Sequence, residues 1–333
     1  MKFIQTMRSR GVVVAAAIAL VAATAGCAAA GSGPVDSGAK EAIVPVKVGG
    51  VPVDVLAHIV VGQERGFFKE AGLDVELGYA GGSAALVPAL LNGQYDVIWG
   101  GLLTGLQAVD KGIQLRAIAT TSCSTGVAGH DLSAILARAD SPVNSGADLG
   151  GKKLAVNAIN GPHQVQNDVL LSKRGVDVAT VQYVEIPIPN MLQSLEMKQV
   201  DAVTIPEPFL TSALQQGGFK IVESTPNAWN PDICTSAFYV MQKTLDDKPA
   251  LVEKFLNGLR KAYAHNAEHP EAFRAAAGSI TKIEPAVLKE MAISKDKWEG
   301  QAAGIRHYGK DVMSVGAIKN AESIEKLIAP VMP

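Results

Sequence analysis

The chain has 333 residues, 48% of them hydrophobic and 19% charged, with a formal net charge of −2. That length can bury one or two ordinary cores, so two α/β domains are the natural expectation, a disordered chain is excluded, and nothing suggests the clustered basic face that nucleic acid would want. Lys2, Arg8 and Arg10 fall within the first 26 residues, so 27 basic groups face 32 acidic ones from Cys27 onward, a mildly acidic surface.

Those three cations precede a purely apolar run at 12–23 (VVVAAAIALVAA), and small residues then lead to Cys27. This is the order of a secretory signal. Twelve apolar residues span about 18 Å, short of the roughly 30 Å hydrocarbon core, so cleavage is expected rather than a permanent span. Thr24-Ala25-Gly26-Cys27 resembles a bacterial lipobox, with Thr24 where that pattern usually has Leu. The resemblance implies removal of residues 1–26 and lipidation of Cys27; the alternative is an ordinary signal with an incidental cysteine. Small and flexible residues make 27–42 a tether between anchor and folded body.

From residue 43 the chain reads as a doubly wound lobe. Residues 45–51 alternate and form a strand, Pro52-Val53-Asp54 turns, and 55–72 (VLAHIVVGQERGFFKEAG) form a helix stopped by Gly72. Residues 73–79 are a second strand. The stretch 81–112 organises the rest: Gly81, Gly82 and Ser83 open an apolar helix, Asn92-Gly93 ends it, 95–99 form a strand, and Gly100, Gly101 and Leu102 begin another helix. Both loops lie at strand C-terminal ends, where helix N-termini leave N–H groups free for a ligand. A further strand follows at 115–119. His58, inside an apolar helix, reads as a packed or surface histidine; Trp99 is open between core packing and ligand contact.

Residues 131–137 are extended, and the polar 139–153 connects to a second lobe. Residues 146–152 fit GxxxxGK, but Lys153 stands where a phosphate loop needs Ser or Thr and the stretch precedes a strand, so that reading is rejected. A strand at 153–159 delivers the chain to Asn160, Gly161 and His163, which open the helix 164–175; a strand at 181–187 leads to Pro189. The plan of the 81–112 unit then returns about 105 residues on, with Asp201 answering Asp96 in a structural role at a strand start, and Ile205-Pro206 answering Gly100-Gly101. Glu207 follows at the strand exit, either as a ligand contact or as an acid favouring a helix N-terminus. From Cys234 a strand leads into amphipathic helices that complete the first lobe. The expected domains are 43–137 plus 238–333 for lobe 1 and 138–237 for lobe 2.

No GxSxG, HExxH, CxxC or EF-hand loop occurs, and the six histidines show no tight metal spacing; His265 and His269 are four apart but Pro270 follows directly. No metal, cofactor or catalytic residue is assigned. Cys123 and Cys234 fall near the two crossings, so a disulfide between them stands against the alternative of two buried thiols.

Residues 66–75 (GFFKEAGLDV), 93–98 (GQYDVI), 147–153 (ADLGGKK) and Pro206-Glu207-Pro208-Phe209 resemble the solute-binding lipoproteins of ABC importers, in the nitrate/sulfonate/taurine group that also contains binding proteins for thiamine pyrimidine precursors. The resemblance covers most of the mature chain. It implies an α/β type II periplasmic-binding-protein fold, two doubly wound lobes joined by two crossing segments, with a small molecule clamped between them. It also implies permease and ATPase partners, and a lipid-anchored monomer on the extracytoplasmic face of the membrane. Enzymes of pyrimidine biosynthesis share this fold, but the cysteine-rich motif tied to their iron chemistry is absent here. The expected ligand contacts are Pro52, Val53, Asp54, Gly81, Gly82, Ser83, Gly100, Gly101, Leu102, Asn160, Gly161, His163, Pro189 and Glu207. These loops contain no Lys or Arg. An anion would rest on helix N-termini, Ser83 and His163, whereas Asp54 and Glu207 suggest an amine or ring N–H. An amino-sulfonate or a substituted pyrimidine satisfies both. The rival is an enzyme of the same fold acting on a small heterocycle with His163 and Glu207; a receptor presenting ligand to a sensor is a third reading.

Overall fold

The computed structural model describes residues 42–80 and 85–332. Cys27, the leader, the tether up to residue 41, and Gly81, Gly82 and Ser83 lie outside the described residues.

Strand β1 (Val44–Gly50) runs into a 3-10 turn at Asp54–Leu56 and then α1 (Ala57–Glu64). The single helix expected over 55–72 is instead broken. Gly66 takes φ 76°, a left-handed conformation that ends α1 and starts the short α2 (Phe67–Glu70). The break turns Phe68 inward, where its ring fits a slot between Gly62 and Gly258; a Cβ at either glycine would come within 2.5 or 2.4 Å of it. β2 (Leu73–Tyr79), α3 (Leu86–Leu91), β3 (Val97–Gly101), α4 (Leu102–Asp110) and β4 (Leu115–Cys123) complete the first stretch. The strand expected at 95–99 is shifted two residues, because Asp96 acts as a side-chain acceptor ahead of the ladder.

After a first crossing come β5 (Ser133–Arg138), β6 (Lys153–Val156), α5 (Pro162–Lys173), β7 (Gln182–Glu185), α6 (Ile188–Glu196), β8 (Ala202–Pro206), α7 (Phe209–Gln216), β9 (Phe219–Ser224) and α8 (Thr225–Trp229). β6 is shorter than the strand expected over 153–159. The second crossing, which α8 opens, leads to β10 (Cys234–Met241), α9 (Gln242–Asp247), α10 (Pro249–Glu268), α11 (Pro270–Thr281), α12 (Pro285–Glu290), α13 (Gln301–Ser314) and α14 (Glu322–Leu327).

The two sheets follow one plan, β2-β1-β3-β10-β4 and β7-β6-β8-β5-β9. In each, four strands run in one direction and the first three in that order pair in parallel, with Val46 beside Val75 in the first and Leu154 beside Tyr183 in the second. The fourth strand is antiparallel and arrives across the hinge: β10 pairs with β3 and β4, and β5 pairs with β8 and β9. The boundaries expected at 137/138 and 237/238 therefore fall inside strands. Pairing assigns all of β5 to the second sheet and all of β10 to the first, so the crossings are 124–132 and 225–233.

The duplication reaches single residues. The Lys47 N–H donates to Asp96 Oδ2 at 3.0 Å and the Lys153 N–H to Asp201 Oδ2 at 2.9 Å, while each aspartate N–H donates back to the same lysine's carbonyl. Each carboxylate thus ties β1 or β6 to the start of its central neighbour, β3 or β8.

One core face of the first sheet packs α4, α13 and α14 through Leu106, Tyr308 and Leu327; the other packs α1, α2 and α10 through Ile59, Phe68 and Phe255. Smaller cores flank the second sheet around Leu195 and Leu171. Asp131 joins the two crossings: fully buried, it accepts hydrogen bonds from Ser124 Oγ and from the N–H groups of Thr125, Leu132 and Asn227, at 2.7 to 3.0 Å. Beside it Cys123 and Cys234, paired in register on β4 and β10, form a disulfide. No helix among the described residues is long and apolar enough to cross a membrane.

Candidate functional site

In open parallel sheets a ligand crevice forms where neighbouring strands send their connections to opposite faces. Strand order puts such a point between β1 and β3 in the first sheet and between β6 and β8 in the second. The loops leaving β1, β6 and β8 carry Pro52 to Asp54, Asn160 to His163, and Glu207, while β3 passes directly into α4 at Gly101; Pro189 sits one strand over, after β7. Of the contacts expected there, Gly100 is buried within β3 and Leu102 is fully buried in the core, because the first turn of α4 packs its leucines beneath the sheet.

On the first lobe, Asp54 opens the turn after β1. Burial pushes its carboxyl up to about 6, opposed by the Val55 N–H and His58 and reinforced by the nearby charges of Asp296 and Glu207. His58 lies beneath it, 3% exposed. Asn266 Nδ2 donates to its Nδ1 at 2.8 Å, so its Nε2–H donates to Asp296 Oδ2 at 2.7 Å. Asp296 also accepts from Thr121 Oγ1 and the Cys123 N–H. His58 is therefore a satisfied core group, and Asp54 is the acid left facing the crevice. α4 follows Gly101 with no side-chain cap, and among its first-turn N–H groups that of Leu103 meets the Tyr308 hydroxyl. Trp99, the middle residue of β3 and partly buried, packs against the core on the α1 and α10 face, and its buried Nε1 has no partner among the described residues.

On the second lobe, α5 starts at Gly161, also without a side-chain cap, and Pro162 contributes no N–H, so His163 and Gln164 supply the free donors. Asn160 takes φ 58° and its N–H is held by Gln164 Oε1 at 2.8 Å. His163 Nδ1 donates to Asn157 Oδ1 at 2.8 Å, leaving Nε2 as an acceptor. Burial pushes this histidine down to about 4, so it is neutral at pH 7. Pro189 is exposed within the first turn of α6. Glu207 is committed to protein: Thr211 donates to it through N–H (3.1 Å) and Oγ1 (2.8 Å), and the Ala292 N–H donates at 3.1 Å. Burial raises its pKa against those bonds. No hydrogen bond joins His163 to Glu207.

Reading the sequence singled out neither Ala292 nor Asp296, since each meets the cleft through pairings spanning 85 or more residues. It also passed over Asp311, to which Lys173 Nζ of the second lobe (2.6 Å) and Trp229 Nε1 of the second crossing (2.5 Å) both donate. A cluster of like residues close in sequence would have been visible; these are not. Among the described residues no three His, Cys, Asp or Glu side chains group as a metal site requires.

The cleft thus offers acceptors at Asp54 and His163 Nε2, donors at two helix N-termini, and no cationic side chain on its loops.

A family model described as NMT1/THI5 like matches residues 55–273. No curated protein sequence matches the chain. Among solved structures, the periplasmic aliphatic sulphonate binding protein SsuA from Escherichia coli is similar in fold, with a TM-score of 0.70 at 16% identity, covering 86% of this chain and 92% of that one. The periplasmic nitrate-binding protein NrtA from Synechocystis PCC 6803 has a TM-score of 0.65 at 13% identity, covering 86% of each chain. A desulfurization enzyme, DSZB, has a TM-score of 0.62 at 14% identity, covering 86% and 96%.

Proposed function

The chain belongs to the NMT1/THI5-like family, and from that premise we propose that it is the extracytoplasmic solute-binding protein of an ABC importer, clamping a small organic solute between its lobes. The observation that carries the reading is the pairing of two switch-point crevices, each with an uncapped helix N-terminus, across a two-segment hinge. A ligand favours the closed state only through contacts that form on closing, so both lobes must touch it. The acceptors at Asp54 and His163 call for an amine or ring N–H, while the helix N-termini accommodate an oxygen or a sulfonate; an amino-sulfonate or a substituted pyrimidine fits both. Nitrate or a simple alkanesulfonate, which brings no N–H donor, would leave Asp54 unmet. A thermal-shift screen of amino-sulfonates, pyrimidines, nitrate and alkanesulfonates tests this, because ligand at 100 times its dissociation constant adds about 2.7 kcal/mol to stability. Stabilisation by nitrate or alkanesulfonate and not by the N–H donors would overturn the ligand class.

Residues 27–42 would tether the folded body to a lipid on Cys27, presenting a monomer to a permease and its ATPase. Cys27→Ala should release the protein from the membrane fraction. The similarity to a desulfurization enzyme keeps an enzymatic reading open, and incubating the protein with whichever solute stabilises it separates the two: a binder returns the solute unchanged. Loss of uptake in a deletion strain distinguishes an importer subunit from a receptor.

A further inference from the structure

A cavity of about 280 Å³ opens at the β4 edge of the first sheet, walled by Thr120, by Ile233 at the end of the second crossing, and by the first turns of α13. It shares no residue with the cleft loops. β10 and β4 separate it from the β1/β3 crevice, about 10 Å at the usual interstrand spacing. Its size lies just under the roughly 300 to 1,000 Å³ of drug-sized pockets, which suits a metabolite.

Two independent features point to an occupant. Thr120 is 1% exposed at the cavity wall, and its Oγ1 has no hydrogen-bond partner among the described residues, whereas buried hydroxyls are almost always met. α13, 14 residues long, starts at Gly300 with no side-chain cap, so the positive end of its dipole and its first-turn N–H groups are available there. Lys297 stands at the rim. Of the two rim acids, Asp232 is already paired with Lys297, and Glu299 is exposed to solvent.

We propose that this cavity is a second solute site, distinct from the cleft, for a small organic carboxylate. Its oxygens would take the first-turn N–H groups of α13 and the Thr120 hydroxyl, with its aliphatic body against Ile233 and Ala303. Because Ile233 belongs to the second crossing, an occupant braces that crossing and biases lobe closure.

A Cβ added at Gly304 meets nothing within 4 Å, so Gly304→Leu fills the cavity from a helix that has room for it. Thr120→Val removes the hydroxyl and keeps the shape. The test titrates ¹⁵N-labelled protein with sodium propionate, with sodium chloride at equal ionic strength as control. It follows amide shifts at 300–304 and hydrogen exchange at 230–234, and thermal unfolding confirms that each variant is folded. Wild type should show saturable shifts and slowed exchange; Thr120→Val should bind about fivefold or more weakly, Gly304→Leu should not bind, and Asp54→Asn, a cleft variant, should bind as wild type does. Absence of saturable shifts, equal shifts with chloride, or full binding by Thr120→Val overturns the site, and Thr120→Val carries the test if Gly304→Leu does not fold. Saturable shifts without slowed exchange at 230–234 overturn the bracing of the crossing. None of these outcomes depends on the cleft ligand.

Discussion

Burial in the cleft weakens the charged forms of Asp54 and His163 alike, with opposite consequences for stability. Asp54 titrates near 6 in the folded chain against about 3.9 unfolded, so its contribution is fully present below pH 3.9 and is lost as pH rises through about 6. His163 titrates near 4 against about 6.5 unfolded, so its contribution is present above pH 6.5 and is lost as pH falls through about 4. Denaturant unfolding from pH 3.5 to 7.5 should therefore find Asp54→Asn more stable than wild type at pH 7 and equal to it near pH 3.5. His163→Gln should remove part of the acid destabilisation between pH 6.5 and 4. Where an N–H ligand meets Asp54, the same Asp54→Asn change should cost about 1.5 to 3 kcal/mol of binding, roughly 10- to 150-fold by calorimetry. Glu207 differs because three protein donors already occupy it. Glu207→Gln is expected to lower stability by about 1 kcal/mol and to change affinity less than about tenfold; a loss as large as that of Asp54→Asn would place the ligand on Glu207. Asp54 was legible in the sequence because it follows a strand directly. Asp296 was not, because its meaning depends on His58, 238 residues away.

Short-range signals also account for which elements could be read. Alternation located the parallel strands, and the repeated aspartates at 96 and 201 announced a doubled plan whose identical bonds to Lys47 and Lys153 now have a physical reason. The break at Gly66 was hidden inside an apolar run of helical period, where only the left-handed φ of one residue separates α1 from α2. The sheet that β5 joins was hidden too, since an extended sequence does not say which partner it meets, and β5 lies between β8 and β9. The crossings carry little alternation at all, and a buried carboxylate joins them beside the backbone bond from the Ser124 N–H to the Ile233 carbonyl. Asp131 accepts four hydrogen bonds from both crossings. Asp131→Asn replaces one acceptor oxygen by a donor among groups that are themselves donors, so it should cost about 1.5 to 3 kcal/mol of unfolding free energy. It should also speed hydrogen exchange at 124–132 and 225–233 before exchange in the strands changes. Protection that falls equally everywhere would mean that Asp131 supports global stability rather than the crossings.

At the scale of the molecule, the two lobes are one folding plan written twice, each completed by the strand that arrives across the hinge, and they meet through Asp311 with Lys173 and Trp229 and through Val165 and Val169 of α5 packed into the core of the first sheet. The second lobe is an insertion between β4 and β10, and the Cys123–Cys234 disulfide closes that insertion at its base, across 111 residues. A cross-link stabilises mainly by restricting the unfolded chain, in the loop-entropy account, and a loop of this length would contribute up to about 4.7 kcal/mol, with about 2 to 4 more usual. The native state needs the bond less, because β10 is already held by strand ladders to β4 on one side and β3 on the other. Cys123→Ser/Cys234→Ser should therefore keep the fold while losing about 2 to 4 kcal/mol in global urea unfolding. The loss should be smaller if the second lobe stays folded when the first opens, since a folded lobe already holds the two ends of the loop together and leaves the cross-link little entropy to remove. Thiol labelling of the unfolded, unreduced protein should find neither Cys123 nor Cys234 free. Cleft affinity should stay within about twofold of wild type, because neither sulfur belongs to a cleft loop; the disulfide acts on how the chain unfolds and not on what the closed lobes hold. Two labelled thiols in the wild-type protein would remove the cross-link, and a large loss of affinity in the double serine variant would mean that the base of the insertion, and not only its loops, sets the geometry of closure.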